Sequence, residues 1–445
     1  MKNLAKTPHL MSSRKKFNMV YKSYKYLLIS VIINMFVMNI FAQGTWKVYT
    51  KDDGLSTNNI TEILEDSKGN LWFNPPIDDL KKVMTKFDGK DWVIYGTWNK
   101  KFDNRLATVS VFHEDNNGAI WFGSSYLGLV KIKESIFKRI KIAPIKFIIE
   151  GFDGKIWFGA KKLYSYDGEE VIEYSKKDLG GKKVTALHKD NSGKIWVGTK
   201  TGVAVYNDPK WETFSEVSSS PAEIVTSIIS DSQGNIWVGG EEGVFKYDGL
   251  KWQHFTTKDG LVGNETLMIR IDSRNTIFAI AGIPGKEFIG LIGMGSAIKS
   301  DIARKGMSIF KDGHWKAYTE ILGVPKNIIS KSLLYLQSVF IEDNSGNMWF
   351  NGKENTIYKF NGSTWKLFNE SNGFTGKRFY KMLEDSKGNH WFTIAKGIAK
   401  YDGKNWSYFN KDTGLPSNRI SSIIEDNKGN IWFGTFRGVV KYTPE

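Results

Sequence analysis

Ile224-Val225-Thr226-Ser227-Ile228-Ile229, then Asp231-Ser232-Gln233-Gly234, then Asn235-Ile236-Trp237-Val238-Gly239: this stretch decides the fold. The first segment is rich in β-branched residues and reads as a strand. The next four suit a tight turn, with Asp accepting from backbone N–H groups at the first position and Gly at the fourth, where φ turns positive. The following strand is apolar on consecutive residues rather than alternating, so both of its faces must be buried. Gly243-Val244-Phe245-Lys246-Tyr247 forms a third strand, Asp248-Gly249 signals a hairpin, and Lys251-Trp252-Gln253-His254-Phe255 forms a fourth. Four antiparallel strands in about 40 residues make one blade of a β-propeller.

Working outward, the same unit recurs nine times, centred on Trp72, Trp121, Trp157, Trp196, Trp237, Phe278, Trp349, Trp391 and Trp432. Most spacings are 36 to 42 residues, with gaps of 49 before Trp121 and 71 after Phe278. Self-similarity at this period marks units that bury their cores against one another. The last unit stops after Gly438-Val439-Val440-Lys441-Tyr442, whereas Thr45-Trp46-Lys47-Val48-Tyr49 is a fourth strand without a unit. Pairing the two would remove both exposed sheet edges. The expected fold is therefore all-β, a β-propeller of nine four-stranded antiparallel blades in one ring closed by the N-terminal strand. A seven- or eight-bladed ring with one unit outside would leave the orphan strand unpaired. Fifteen of the 16 Trp fall in second or fourth strands and read as inter-blade core; Trp98 alone lies outside the pattern.

Residues 1–43 differ from the rest. Lys15, Lys16, Lys22 and Lys25 precede an apolar run from Leu27 to Phe41 that ends at Ala42-Gln43, the pattern of a secretory signal peptide. The run is short for a membrane span and carries Asn34 and Asn39. An uncleaved anchor is the alternative. The expected location is periplasmic or secreted, with residues 44–445 forming the propeller. The formal charge of +15 includes seven basic residues of this segment, which leaves +8 for the remainder. Those cations are spread through every repeat, which argues against a nucleic-acid partner. The absence of Cys excludes disulfides and thiolate metal sites.

The run Lys411-Asp412-Thr413-Gly414-Leu415-Pro416-Ser417-Asn418-Arg419-Ile420, leading into Ile424-Glu425-Asp426-Asn427-Lys428-Gly429-Asn430-Ile431-Trp432-Phe433-Gly434-Thr435, resembles the two-component regulator propeller repeat. The resemblance implies a propeller outside the cytoplasm that senses carbohydrate or other small ligands. Only three residues follow Tyr442, so signalling through a kinase or DNA-binding region of its own is not expected. The expectation is a sensor-like binding module without its own output domain. Its partners would be a small polar ligand or glycan, or a cell-envelope protein such as a separate sensor kinase.

The Asp-x-x-Gly and Tyr-Asp-Gly turns are short and share one face of the ring. The opposite face carries the second-to-third-strand loops and the blade-to-blade connections, where ligand contacts are expected. Lys183, Glu265, Arg378 and Arg419 fall at the start of innermost strands, with Glu223 one place out of register. Together they suggest a mouth acidic on one side and basic on another, the arginines donating to carboxylate or hydroxyl groups. Trp98, Tyr126 and Phe436 are aromatic candidates on the same face, and an insertion at 283–306 could cover the mouth. Catalysis is not expected. The conspicuous aspartates read as turn formers and the six His are scattered, with His390 before Trp391 read as a core residue. No His-rich spacing suggests zinc and no cofactor is expected. The enzyme alternative is a propeller resembling metal-dependent antibiotic lyases.

Overall fold

The computed structural model describes residues 44–445 apart from 75–83, 96–108, 125–127, 134–135, 143, 160–161, 181–182, 215–220, 222–223, 282–305, 319–340, 352–354 and 378. Nine four-stranded antiparallel sheets stand in a ring. Their innermost strands begin at Glu62, Val109, Phe147, Val184, Val225, Thr266, Ile341, Phe379 and Ile420, and these define blades 1 to 9. Blades 1 to 8 are meanders of consecutive strands. Blade 9 is completed from the other end of the chain. Thr45–Tyr49 pairs antiparallel with Gly438–Thr443, matching Trp46 with Tyr442 and Tyr49 with Val439. The ring is then sealed to blade 1, where Ile60 N donates to Thr435 O at 2.9 Å and Ile63 N to Ser422 Oγ at 3.0 Å.

The core lies between blades. Nine apolar clusters each draw on two neighbouring sheets, from blades 1 and 2 around to blades 9 and 1. Second strands such as Ile236–Gly240 and Ile431–Thr435 are buried at every residue, as their consecutive apolar pattern requires. All eight second-strand Trp are at most 4% exposed. The fourth-strand Trp fare differently. Trp252 and Trp315 are buried, whereas Trp46, Trp92, Trp211, Trp365 and Trp406 are half-buried. They cap the outer ends of the clusters, because an outer strand has solvent beyond it.

The turn aspartates do more than shape turns. In blade 5, Asp231 Oδ1 accepts from the backbone N–H of Gln233 and Asn235, while Oδ2 accepts from the indole Nε1 of Trp237 at 2.8 Å. The same indole bond, 2.7 to 3.0 Å long, joins Asp66 to Trp72, Asp115 to Trp121, Asp190 to Trp196, Asp343 to Trp349, Asp385 to Trp391 and Asp426 to Trp432. A buried indole N–H needs an acceptor, and the carboxylate six residues earlier supplies it. Blade 3 departs from this. Gly151 holds the first turn position there, and Trp157 Nε1 is buried without a partner among the described residues.

A second device crosses from blade to blade on the same short-turn face. The Glu just before the turn accepts from the backbone after the preceding blade's turn aspartate. Glu114 binds Ser67 N at 2.8 Å, Glu342 binds Ser273 N at 2.9 Å, Glu425 binds Ser386 N at 2.8 Å, and Glu65 binds Asn427 N at 3.0 Å. The last of these spans the ring closure.

Candidate functional site: the long-loop face and channel wall

Most innermost strands are irregular where they leave the mouth. Register shifts lie between Val184 and Ala186, Val225 and Ser227, Thr266 and Met268, and Ile420 and Ser422. A bulge bends a strand and re-aims what flanks it. Here it falls immediately after Lys183, Ile224, Glu265 and Arg419, so it sets the angle at which these residues meet the rim.

Four connections on this face share one design. Thr50, Thr256, Asn369 and Asn410 each cap a single 3-10 turn. Each turn is followed by a glycine in the left-handed region, Gly54, Gly260, Gly373 or Gly414. Leu55, Leu261, Phe374 or Leu415 then inserts into the core. One repeated device therefore makes the connections into blades 1, 6, 8 and 9.

Among the residues singled out from sequence, Trp98, Tyr126, Glu223, Arg378 and nearly all of the 283–306 insertion lie outside the described residues. Arg419 and Phe436 come together. The guanidinium carbon lies 5.4 Å from the centroid of the Phe436 ring, and both side chains are exposed. The Arg419 backbone is fixed by a 3.0 Å bond from its N–H to Ser417 Oγ. Lys183 and Glu265 are half-buried at the starts of blades 4 and 6.

Of the residues behind the acidic and basic sides of the mouth, Glu223 and Arg378 lie outside the described residues, and the innermost strands carry further charges. Lys381 of blade 8 reaches past blade 9 to Glu62 of blade 1, with Nζ 2.6 Å from Oε1. Ser422 Oγ of the intervening blade is 3.3 Å from the same oxygen. The sector containing Arg419 thus includes a neutralised pair. Cations elsewhere were missed in the sequence because only the first residue of each innermost strand was considered. Lys146 is half-buried on the approach to blade 3, and burial and the neighbouring Lys183 ammonium both push its pKa down. Arg270, in the innermost strand of blade 6, places Nε 3.3 Å from Met268 Sδ. Burial lowers its pKa, and it forms no ion pair among the described residues.

His390 is buried between blades 7 and 8, with Nε2 3.2 Å from Asp343 Oδ2 and 4.0 Å from Glu384 Oε2. Three such donors could in principle hold a metal ion. The donor set fits one poorly, because Asp343 Oδ2 is already met by Lys359 Nζ at 3.0 Å and Trp349 Nε1 at 3.0 Å. Burial would raise the Asp343 pKa, but the bonds from His390, the Asn347 backbone, Trp349 and Lys359 outweigh it and hold the carboxyl well below its usual range. This arrangement is a polar tie between two blades, which agrees with a core role for His390.

Ring and blades define a nine-bladed β-propeller. Four stretches, 54–74, 178–201, 219–242 and 414–437, match the two-component regulator propeller. These four stretches fall in blades 1, 4, 5 and 9 and are similar to repeats of that family. No curated protein matches it at the sequence level. Among solved structures, it is similar to the extracellular domain of the hybrid two-component system BT4673 of B. thetaiotaomicron. That match has 12% identity and a TM-score of 0.38, over 88% of this chain and 60% of that one. A virginiamycin B lyase of Staphylococcus aureus is similar at 14% identity and a TM-score of 0.41, over 90% and 99% of the two chains. PorZ of Porphyromonas gingivalis is similar at 15% identity and a TM-score of 0.36, over 87% and 69%. Among the described residues, no helix is long and apolar enough to cross a membrane.

Proposed function

We propose that the protein is an exported, sensor-like binding propeller that recognises a glycan or another polar small molecule on its long-loop face and catalyses no reaction. One observation carries the reading: Arg419 and Phe436 form an exposed cation–π pair at the mouth, and the repeat uses neither side chain to build the blade. An aromatic face beside a guanidinium suits a ligand with both a ring to stack and hydroxyl or carboxylate groups to accept. The resemblance to two-component regulator propellers supports a sensing role. Passing the signal on would then fall to a partner such as a separate sensor kinase in the cell envelope.

The test is a binding screen against oligosaccharides and cell-envelope fractions with Arg419→Ala and Phe436→Ala. Both variants should weaken binding about tenfold or more while barely moving the melting temperature, because exposed loop changes cost little stability. Normal binding by both variants, with loss on substituting the short-turn face, would place the site on the opposite side.

A further inference from the structure

Seven of the nine blade junctions on the short-turn face close with one kind of bond. The backbone N–H of the residue after the turn aspartate donates to a side chain of the next blade. Six of the acceptors are the Glu just before that blade's turn. To Glu65, Glu114, Glu342 and Glu425 are added Glu150, which accepts from Asn116 N at 2.9 Å, and Glu384, which accepts from Asn344 N. In the seventh, Asn275 Oδ1 accepts from Ser232 N at 2.8 Å.

Blades 4 and 5 lack the bond, with Ser230 in place of the Glu and its hydroxyl 2.9 Å from His188 Nε2. Blades 3 and 4 depart further. Phe152 follows the turn position held by Gly151, and Lys189 stands where the Glu would be. The charge at the acceptor's place is reversed, and the Phe152 N–H has no acceptor among the described residues. Lys189 Nζ lies 4.8 Å from the centroid of the Phe152 ring. That ring is 67% exposed and rests on Gly193, where a Cβ would collide with it. All the turns of blades 3 and 4 on this face lie within the described residues. The acids of the inner turns are engaged. Asp153 Oδ2 is 2.8 Å from Lys155 Nζ, Glu150 is held by Asn116, and Asp190 accepts from Lys194 N and the Trp196 indole. Lys189 forms no ion pair with these or any other acid among the described residues.

We infer that the junction of blades 3 and 4 is a docking site for an acidic segment of a partner protein. An Asp or Glu of that segment takes the place that the repeat elsewhere fills from within. Its carboxylate accepts from the Phe152 N–H and pairs with Lys189, while the Phe152 ring supplies an apolar contact beside it. Charge complementarity argues for this occupant. The six Glu-tied junctions show that this turn accommodates a side-chain carboxylate, and Lys189 complements one brought from outside. An exposed aromatic next to a cation is also the composition of a protein-interface anchor. The site lies on the face opposite Arg419 and Phe436 and does not depend on the binding reading given for them.

The test takes its probes from a phage-displayed dodecapeptide library selected on the purified protein, with the selected peptides synthesised and titrated. They should carry Asp or Glu beside an apolar residue, and replacing that acid by its amide should weaken binding about tenfold. Phe152→Ser with Lys189→Glu rebuilds the tie found between Ser67 and Glu114. This double variant should bind the peptides about tenfold more weakly or worse, without a lower melting temperature. Lys189→Gln alone should weaken binding in the same direction by less. A control of equal charge change, Lys68→Gln with Lys428→Gln on other turns of this face, should bind normally. Failure to select acidic peptides, or full binding by the Lys189 variants, overturns the inference. Equal loss in the control makes the effect one of diffuse charge and overturns it too. Displacement of the peptides by polygalacturonate at equal carboxylate concentration makes the site one for sugar acids, with the same consequence.

Discussion

Asp and Trp six residues apart act as one unit. The turn role of the aspartates was legible from Asp-x-x-Gly, but the indole bond was not, because nothing in a turn rule links its carboxylate to the next strand. The signal was available in the fixed Asp-to-Trp spacing of seven blades. Blade 3 tests it in reverse. A Cβ on Gly151 would sit 3.1 Å from Trp157 Nε1, and its closest clash is with the end of the flexible Asp153 side chain. Gly151→Asp should supply the missing acceptor and raise stability by about 1 kcal/mol in denaturant titration. A second residue-scale prediction concerns His188, whose pKa is pushed down by burial against an opposing pull from Asp190. Its Nε2 lies 2.9 Å from Ser230 Oγ of the next blade. The unfolded chain, titrating near about 6.5, then binds the proton more readily than the folded one. Stability is therefore complete above that pH and declines as pH falls through it toward the lower folded value. Melting curves from pH 8 to 5 should show that decline, and His188→Gln should flatten it.

Whole strands and turns were the most legible level. Consecutive apolar residues identified the second strands, and the orphan Thr45–Tyr49 found its partner as expected. The bulges at strand starts were not legible, because one extra residue leaves no mark in a pattern of β-branched side chains. The closing strand makes the prediction at this scale. Trp46 contacts Phe409 and Tyr442 at centroid distances of 4.8 and 4.7 Å, and lies 5.9 Å from Phe433. It is only half-buried, so Trp46→Ala should cost about 3 kcal/mol, the low end for an aromatic truncation. Deleting residues 44–50 should cause marked destabilisation or aggregation through the exposed edge of Gly438–Thr443. Unchanged melting of both variants would contradict closure by this strand.

At the scale of the molecule, the blade number and ring closure were legible because both follow from counting repeats. The pairing of Arg419 with Phe436 was not, because the two come from separate stretches that only the folded blade brings together. Closure also makes the order of blades along the chain arbitrary. Gly44 lies against the Thr443 carbonyl, and the Asp248-Gly249-Leu250 hairpin tip leaves Leu250 92% exposed. A circular permutant joining residue 445 to residue 44 through a short linker and opened at Leu250 should therefore keep the native circular dichroism and most of the melting temperature. Loss of the fold in that permutant would show that the seam needs free ends.

The seam between Thr45–Tyr49 and Gly438–Thr443 also sets a timetable. Its two sides are about 400 residues apart, so the contact that finishes the ring is the most non-local one in the chain and carries a large loop-closure entropy. On a ribosome the first side emerges long before the second and must wait, with its edge unpaired, until Gly438–Thr443 has been read. Blades can form in sequence during that interval, each resting on the one before, but blade 9 has no fourth strand and blade 1 no neighbour to seal against. The molecule therefore remains an open arc until Gly438–Thr443 has been made, and native topology is reached only from that point on.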